Sequence, residues 1–238
     1  MSNTNNSNFH WQVESSRLTL FLDSSDQKQL WEKITGTAPE KRTERPKEDL
    51  LIEEGEWEDI NLSVSVSSNR IDIVLSSIFT PPELPNAGNI KDIIPKIKGI
   101  IDTLLIDEIK RIAFGLVVIQ PEQDHPKAYK SLSKLLPNVD IEEETTDFLY
   151  QVNLPTQSKT DSPFEINSLR RYSVILFQFK SISAQTNDVD SINSYATKLE
   201  LDINTSQSTD LDNTLNNKCI IDELIAEAIA ITEGKKHA

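Results

Sequence analysis

Arg17-Leu18-Thr19-Leu20-Phe21-Leu22 and, 94 residues further on, Arg111-Ile112-Ala113-Phe114-Gly115-Leu116-Val117-Val118 are the stretches whose reading decides the fold. Each is an Arg-led apolar run of strand character, and each opens the same sequence of signals. A short amphipathic helix signal comes first, then an acidic run, strand-like alternation and a strong helix. The pattern predicts an internal duplication of element order, βαββα followed by βαβββα. Residue identity between the halves is weak, so the echo lies in the order of elements alone. The first half together with the Arg111 strand reads βαββαβ, the split-βαβ order of a ferredoxin-like unit. Right-handed crossovers would then place the helices on one face of a mainly antiparallel sheet. The expected fold is α+β, with two ferredoxin-like halves (residues 9–109 and 110–238) fused through a shared sheet into one compact domain. An Asn/Ser-rich segment at residues 1–8 has the composition of a disordered terminus.

Local signals fill in this outline. Ile60, Leu62, Val64 and Val66 alternate with Asn61, Ser63 and Ser65, the pattern of a half-buried strand. A turn at Ser67-Ser68-Asn69 leads into a second alternating run with Ile71, Ile73 and Leu75. Ser24 and Ser25 are placed to cap a helix from Asp26 to Thr35, with Gly36 as its stop. Residues 37–49 read as a charged loop. The isoleucines from Ile90 to Leu105 follow helical spacing, and a helix starting at Asp92 would keep Pro95 in its first turn. Asp124 and Pro126 start a helix that Pro137 ends. Phe148 to Leu154, Arg171 to Ser181 and Leu199 to Ile203 read as strands, and Asn213 to Glu233 as the last helix.

Two strands depart from one-sided alternation. Ile112 to Ile119 and Tyr172 to Phe179 are apolar at nearly every position, as in strands buried on both faces. Helices on one side leave the other side to be covered. The cover is either the chain's own N-terminal stretch and long loops, or a second copy or partner docking where Phe177 and Phe179 stand.

Composition narrows the function classes. The net charge is −14, from 38 acids against 24 bases, which opposes binding to nucleic-acid backbone or an anionic membrane. A mimic of DNA would line its acids along a continuous face, whereas here they are interspersed with bases. A single cysteine, Cys219, leaves no internal disulfide framework and fits a reducing compartment. The stretch Met1 to Asn8 has neither the basic start nor the apolar core expected of a secretory signal, and no apolar run approaches the roughly 20 residues that span a bilayer. The expected location is cytoplasmic. Asn, Ile, Lys and Ser usage points to an AT-rich bacterial or phage genome.

Catalytic groups are sparse. His10, His125 and His237 are far apart in sequence, and Cys219, beside Ile220 and Ile221 near a helix start, reads as a small core residue. No His/Cys spacing suggests zinc, no glycine-rich phosphate loop is present, and no cofactor is expected. The acidic runs Glu53-Glu54-Gly55-Glu56-Trp57-Glu58-Asp59 and Asp140-Ile141-Glu142-Glu143-Glu144 precede strands in the two halves and form a candidate surface for a basic partner. Pro82-Glu83 with Glu108-Ile109-Lys110 imitates the carboxylate and lysine spacing of Mg²⁺-dependent nucleases. These signals favour a non-enzymatic, cytoplasmic protein-binding or scaffold protein, working as a homodimer or as a subunit of a larger assembly. Its expected contacts are Glu53, Glu54, Glu56, Trp57, Glu58, Asp59, Glu142, Glu143, Glu144, Phe177 and Phe179. The alternatives are a metal-dependent hydrolase or nuclease using Glu83, Glu108 and Lys110, and an acidic inhibitor or antitoxin-like protein that neutralises a basic partner.

Overall fold

In the computed structural model, which describes residues 9–23, 29–104, 109–142, 144–159, 163–182, 189–206 and 217–235, the strand signals join into one sheet. The chain runs β1 (Gln12–Leu22), α1 (Leu30–Thr35), β2 (Lys41–Arg45), β3 (Leu50–Trp57), β4 (Ile60–Ser67), β5 (Arg70–Ser76) and α2 (Ile90–Thr103). It continues through β6 (Ile109–Glu122), α3 (His125–Leu135), β7 (Leu149–Asn153), β8 (Thr156–Gln157), β9 (Glu165–Ile182), β10 (Val189–Thr205) and α4 (Asn217–Thr232). The strands are ordered β2-β3-β4-β5-β1-β6-β10-β9-β7, with β8 also paired to β9. Every pairing is antiparallel.

This overturns the expected pair of ferredoxin-like α+β halves. Among the described residues the molecule is mostly one ten-stranded antiparallel sheet with four helices. The reason is extra strand. Part of the stretch read as a charged loop is β2, and the first acidic run lies largely within β3. β10 is 17 residues long where only Leu199 to Ile203 carry an apolar alternation. The halves share a connection rule instead. β1 leads through α1 to a meander that returns to pair β5 with β1, and β6 leads through α3 to a meander that returns to pair β10 with β6.

Residues opposite one another in an antiparallel pair share a face, so the register defines the two sides of the sheet. Leu18 is opposite Ile73 and Phe114, and Phe114 is opposite Ile203. These four belong to one buried cluster with Leu62, Val64, Leu116, Leu199, Ile93 and Ile97 of α2, and Leu224 and Ile225 of α4. The core therefore lies between the sheet and the helices. α1 reaches the same side through Trp31, which is 1% exposed. Its approach depends on Gly55, where a Cβ would stand 3.2 Å from the Trp31 ring and 3.0 Å from Glu40 Cγ. α4 is tied to α2 by Lys98–Asp222 at 2.7 Å and Lys218–Asp102 at 2.6 Å, and the Trp11 indole N–H donates to the Thr232 carbonyl at 3.0 Å.

Helix ends follow their capping chemistry. α2 begins at Ile90, with Asn89 as cap and Asp92 reaching back to the Asn89 N–H at 3.1 Å, two residues before the expected start. Pro95 consequently falls in the second turn, where the carbonyl it deprives belongs to Lys91, an exposed residue that water can serve. Asp124 caps α3 by accepting the Lys127 N–H, with Pro126 in the first turn as expected. Gly36 closes α1 in the left-handed region. The expected cap at Ser24 and Ser25, and the expected start of the last helix at Asn213, lie outside the described residues. No helix among the described residues is long and apolar enough to cross a membrane.

A buried charged pair links β9 to α4. Arg170 of β9 is 2% exposed and pairs with Glu227 of α4 at 3.7 Å, while its Nε–H donates to Ser168 Oγ at 3.2 Å. Tyr172, two residues along the same strand, is also buried, and burial pushes its phenol above the ordinary value while Arg170 pulls the other way. A raised native pKa stabilises the fold below the unfolded value of about 10 and withdraws that stability as pH rises through the native value. Alkaline titration of the tyrosinate band is therefore expected to show a late step from Tyr172. Tyr172→Phe should abolish that late step and flatten the stability loss above pH about 10. A late step that survives the substitution would refute the assignment.

Candidate interaction surface

The open face of the sheet answers the question posed by the two-sided strands. On β6 the side chains away from the helices are Arg111, Ala113, Gly115, Val117 and Ile119, so two of the five are too small to need cover. Around them Arg17 meets Asp202 at 3.5 Å, Arg171 meets Glu200 at 3.7 Å and Lys198 meets Glu200 at 3.1 Å. Thr19 donates to Asp72 at 2.6 Å, and β4 contributes Asn61, Ser63, Ser65 and Ser67. Water can solvate such a face. A concavity of about 380 Å³ over Gly115 is lined by Arg17, Arg171, Glu200 and Asp202, whose charges already pair across it.

One end of this face carries an apolar cluster, and there the chain supplies partial cover. Residues 77–88 are anchored on the start of β1 by the Ser77 N–H to Glu14 O, the Ala87 N–H to Val13 O and the Val13 N–H to Gly88 O. Gln12 Nε2 donates to Pro85 O, and Gln12 lies opposite the buried Ile119. Phe79 from this loop reaches Phe179, their ring centroids 5.9 Å apart.

Beyond that end the sheet narrows to two strands. β6 accompanies β10 only from Tyr195 onward, and β7 accompanies β9 only over Leu169 to Ser173. Among the described residues, Val174–Ile182 and Val189–Ser194 pair only with each other. One side of this arm is apolar, with Ile175, Phe177, Phe179 and Ile192; the other carries Val174 and Leu176 followed by the exposed polar Gln178, Lys180, Ser191 and Asn193. Leu176 is 50% exposed and Ile192 51%. The Phe177 and Phe179 rings lie nearly parallel with centroids 6.4 Å apart. A two-stranded ribbon is marginal by itself, and its unpaired edges are templates for another strand.

The sheet's other limit is built differently. β2 is Lys41-Arg42-Thr43-Glu44-Arg45, a charged edge that resists strand addition. The acidic runs do not form a common surface. Glu53 points to the helix side, almost buried, with Arg42 at 3.3 Å. Glu54 faces the opposite side with Lys41 at 2.8 Å, and Glu56 is exposed. Glu58 holds Lys96 at 2.6 Å, the ammonium lying over the Trp57 ring, and Asp59 completes the β3–β4 turn with φ 64. Glu142 and Glu144 are exposed in the loop before β7, and Glu143 lies outside the described residues. β3 and β7 are near opposite edges of the sheet, about 30 Å apart by strand spacing.

The other candidate groups also separate. Glu83 is exposed in the loop at the start of β1, Lys110 pairs with Asp23 at 3.0 Å beyond its other end, and Glu108 lies outside the described residues. The length of β1, about 35 Å, stands between Glu83 and Lys110. His125 begins α3 against Tyr129 and Tyr195, His10 is exposed, and His237 lies outside the described residues. Cys219 is exposed, unlike the core residue expected of it.

Phe177 and Phe179 are thus the predicted contacts that the fold brings together, joined by Phe79, Ile175 and Ile192. Ile192 lacks a sequence signal because Ser191, Asn193 and Ser194 surround it, and Phe79 because it stands in a loop. The chain matches no protein-family model, and a search of curated proteins returns no significant match.

Proposed function

We propose that this chain is a non-enzymatic protein-binding subunit that docks its partner on the β9–β10 arm by strand addition. The observation that carries the reading is the ribbon beyond Ser173 and Tyr195, which has no neighbouring strand among the described residues and carries an apolar stripe of Ile175, Phe177, Phe179 and Ile192 on one side. Strand addition suits it because main-chain hydrogen bonds supply affinity and the alternating side chains supply specificity. A basic-partner reading has less support, since the acids are divided between faces and edges and several already hold lysine or arginine.

A photo-crosslinking residue placed at Phe177 in the cells that express the chain is expected to yield a covalent adduct with a protein. The same residue at Ser63, on the polar open face, should yield none. Equal yields at both positions, or no adduct at Phe177, would remove the arm as the docking site.

A further inference from the structure

Resting on the arm as the docking site, we infer that its occupant is a second copy of this chain, joined through antiparallel pairing of β9 with β9 about Phe177. The arm has two edges, and they differ. The β10 edge reads Ser191-Ile192-Asn193-Ser194, while the β9 edge reads Val174-Ile175-Leu176-Phe177-Gln178-Phe179-Lys180. The β9 edge carries no carboxylate in a chain of net charge −14. Two identical acidic chains repel over most of their surfaces, and an edge without acids is where they can meet at least cost. The opposite edge of the sheet, β2, mixes both charges and lacks any apolar run.

Geometry supports the same occupant. β7 fills the outer edge of β9 up to Ser173, opposite Leu149. An incoming strand must therefore begin at Val174 and lie end to end with β7. The β9 segment of a second copy, turned by a two-fold axis, meets the same boundary from the other end. Centred on Phe177, the pairing sets Phe177 opposite its twin, Ile175 opposite Phe179, Leu176 opposite Gln178 and Val174 opposite Lys180. Face parity is preserved, so the Ile175-Phe177-Phe179 stripe becomes a continuous cross-strand apolar ladder and no like charges oppose. The contact is isologous and closed, as two-fold symmetry requires.

The test uses the full chain. Light scattering at micromolar concentration is expected to give twice the 26.9 kDa chain mass. Phe177→Lys and Phe177→Asp should each halve it, and an equimolar mixture of the two variants should restore the dimer. A mixture of Ile175→Lys with Phe179→Asp should do the same, which reads the register independently. All four variants should keep the wild-type circular dichroism and the thermal midpoint that the wild type shows when diluted to the monomer, since the arm lies outside the helix-side core. A monomeric wild type, a dimer indifferent to all four substitutions, or separate variants that stay monomeric when mixed would each overturn the inference. If the wild type is monomeric while Phe177 crosslinks to a different protein, the second copy is wrong and the docking arm stands. If Phe177 crosslinks to nothing, both fall.

Discussion

Glu227→Ala is expected to lower the unfolding free energy by about 3 kcal/mol, because it removes a carboxylate that pairs with the buried Arg170 guanidinium. The guanidinium is 2% exposed and Glu227 9%, so solvent screens neither partner appreciably. Arg170 also donates from Nε to Ser168 Oγ. The pair also spans two elements, β9 and α4, so its loss loosens the helix from that edge of the sheet. For a fold whose total stability is of the order of 5–15 kcal/mol, such a change brings the midpoint of urea unfolding close to native conditions. Arg170→Met combined with Glu227→Leu should recover most of the loss, since an apolar pair of similar volume needs no desolvated charge. An alanine variant with an unfolding midpoint within error of the wild type would show that the pair is more hydrated than its burial implies.

The sequence signals for Arg170 illustrate where reading stops. Arg170-Arg171 looks like the charged lead of a strand, yet β9 begins at Glu165 and Arg170 points inward while Arg171 points out to Glu200. Nothing local marks which of two adjacent arginines is buried; Glu227, 57 positions away, decides it. The alternations at Ile60–Val66 and Ile71–Leu75 were legible because one face of a hairpin is core and the other water. β2 was illegible because an edge strand has neither face in the core and reads as charged loop. β3 was hidden for a related reason: Glu53 occupies an inward position, breaking the alternation that would have revealed the strand. With β2 and β3 unseen, the sheet looked small enough to be two ferredoxin-like units. Phe177 and Phe179 were legible as candidates because they lie in a run, Tyr172 to Phe179, that is apolar at nearly every position. That the strand outruns its neighbours follows from the lengths of β6 and β7, which no residue on β9 encodes.

Phe114→Ala and Val117→Thr, three residues apart on β6, are expected to differ sharply, and the difference tests which side of the sheet carries the core. Phe114 is fully buried between its strand neighbours Leu18 and Ile203 and the helices above them. Removing its ring should cost about 3–5 kcal/mol, the loss of transfer energy plus an unfilled cavity. Val117 faces the other way, half-buried beside the concavity over Gly115. Thr there keeps the shape and adds a hydroxyl that water or Ser15, its neighbour across the β1 pairing, can satisfy. The expected cost is below about 1 kcal/mol. Urea unfolding of the two variants over a range of protein concentrations checks both values. A large, concentration-dependent cost at Val117 would mean that a second molecule covers the polar face, and the arm would then not be where copies of this chain meet. A small, concentration-independent cost leaves the open face to water and confines association to the one end of the sheet where Phe177, Phe179 and Ile192 stand without cover enough.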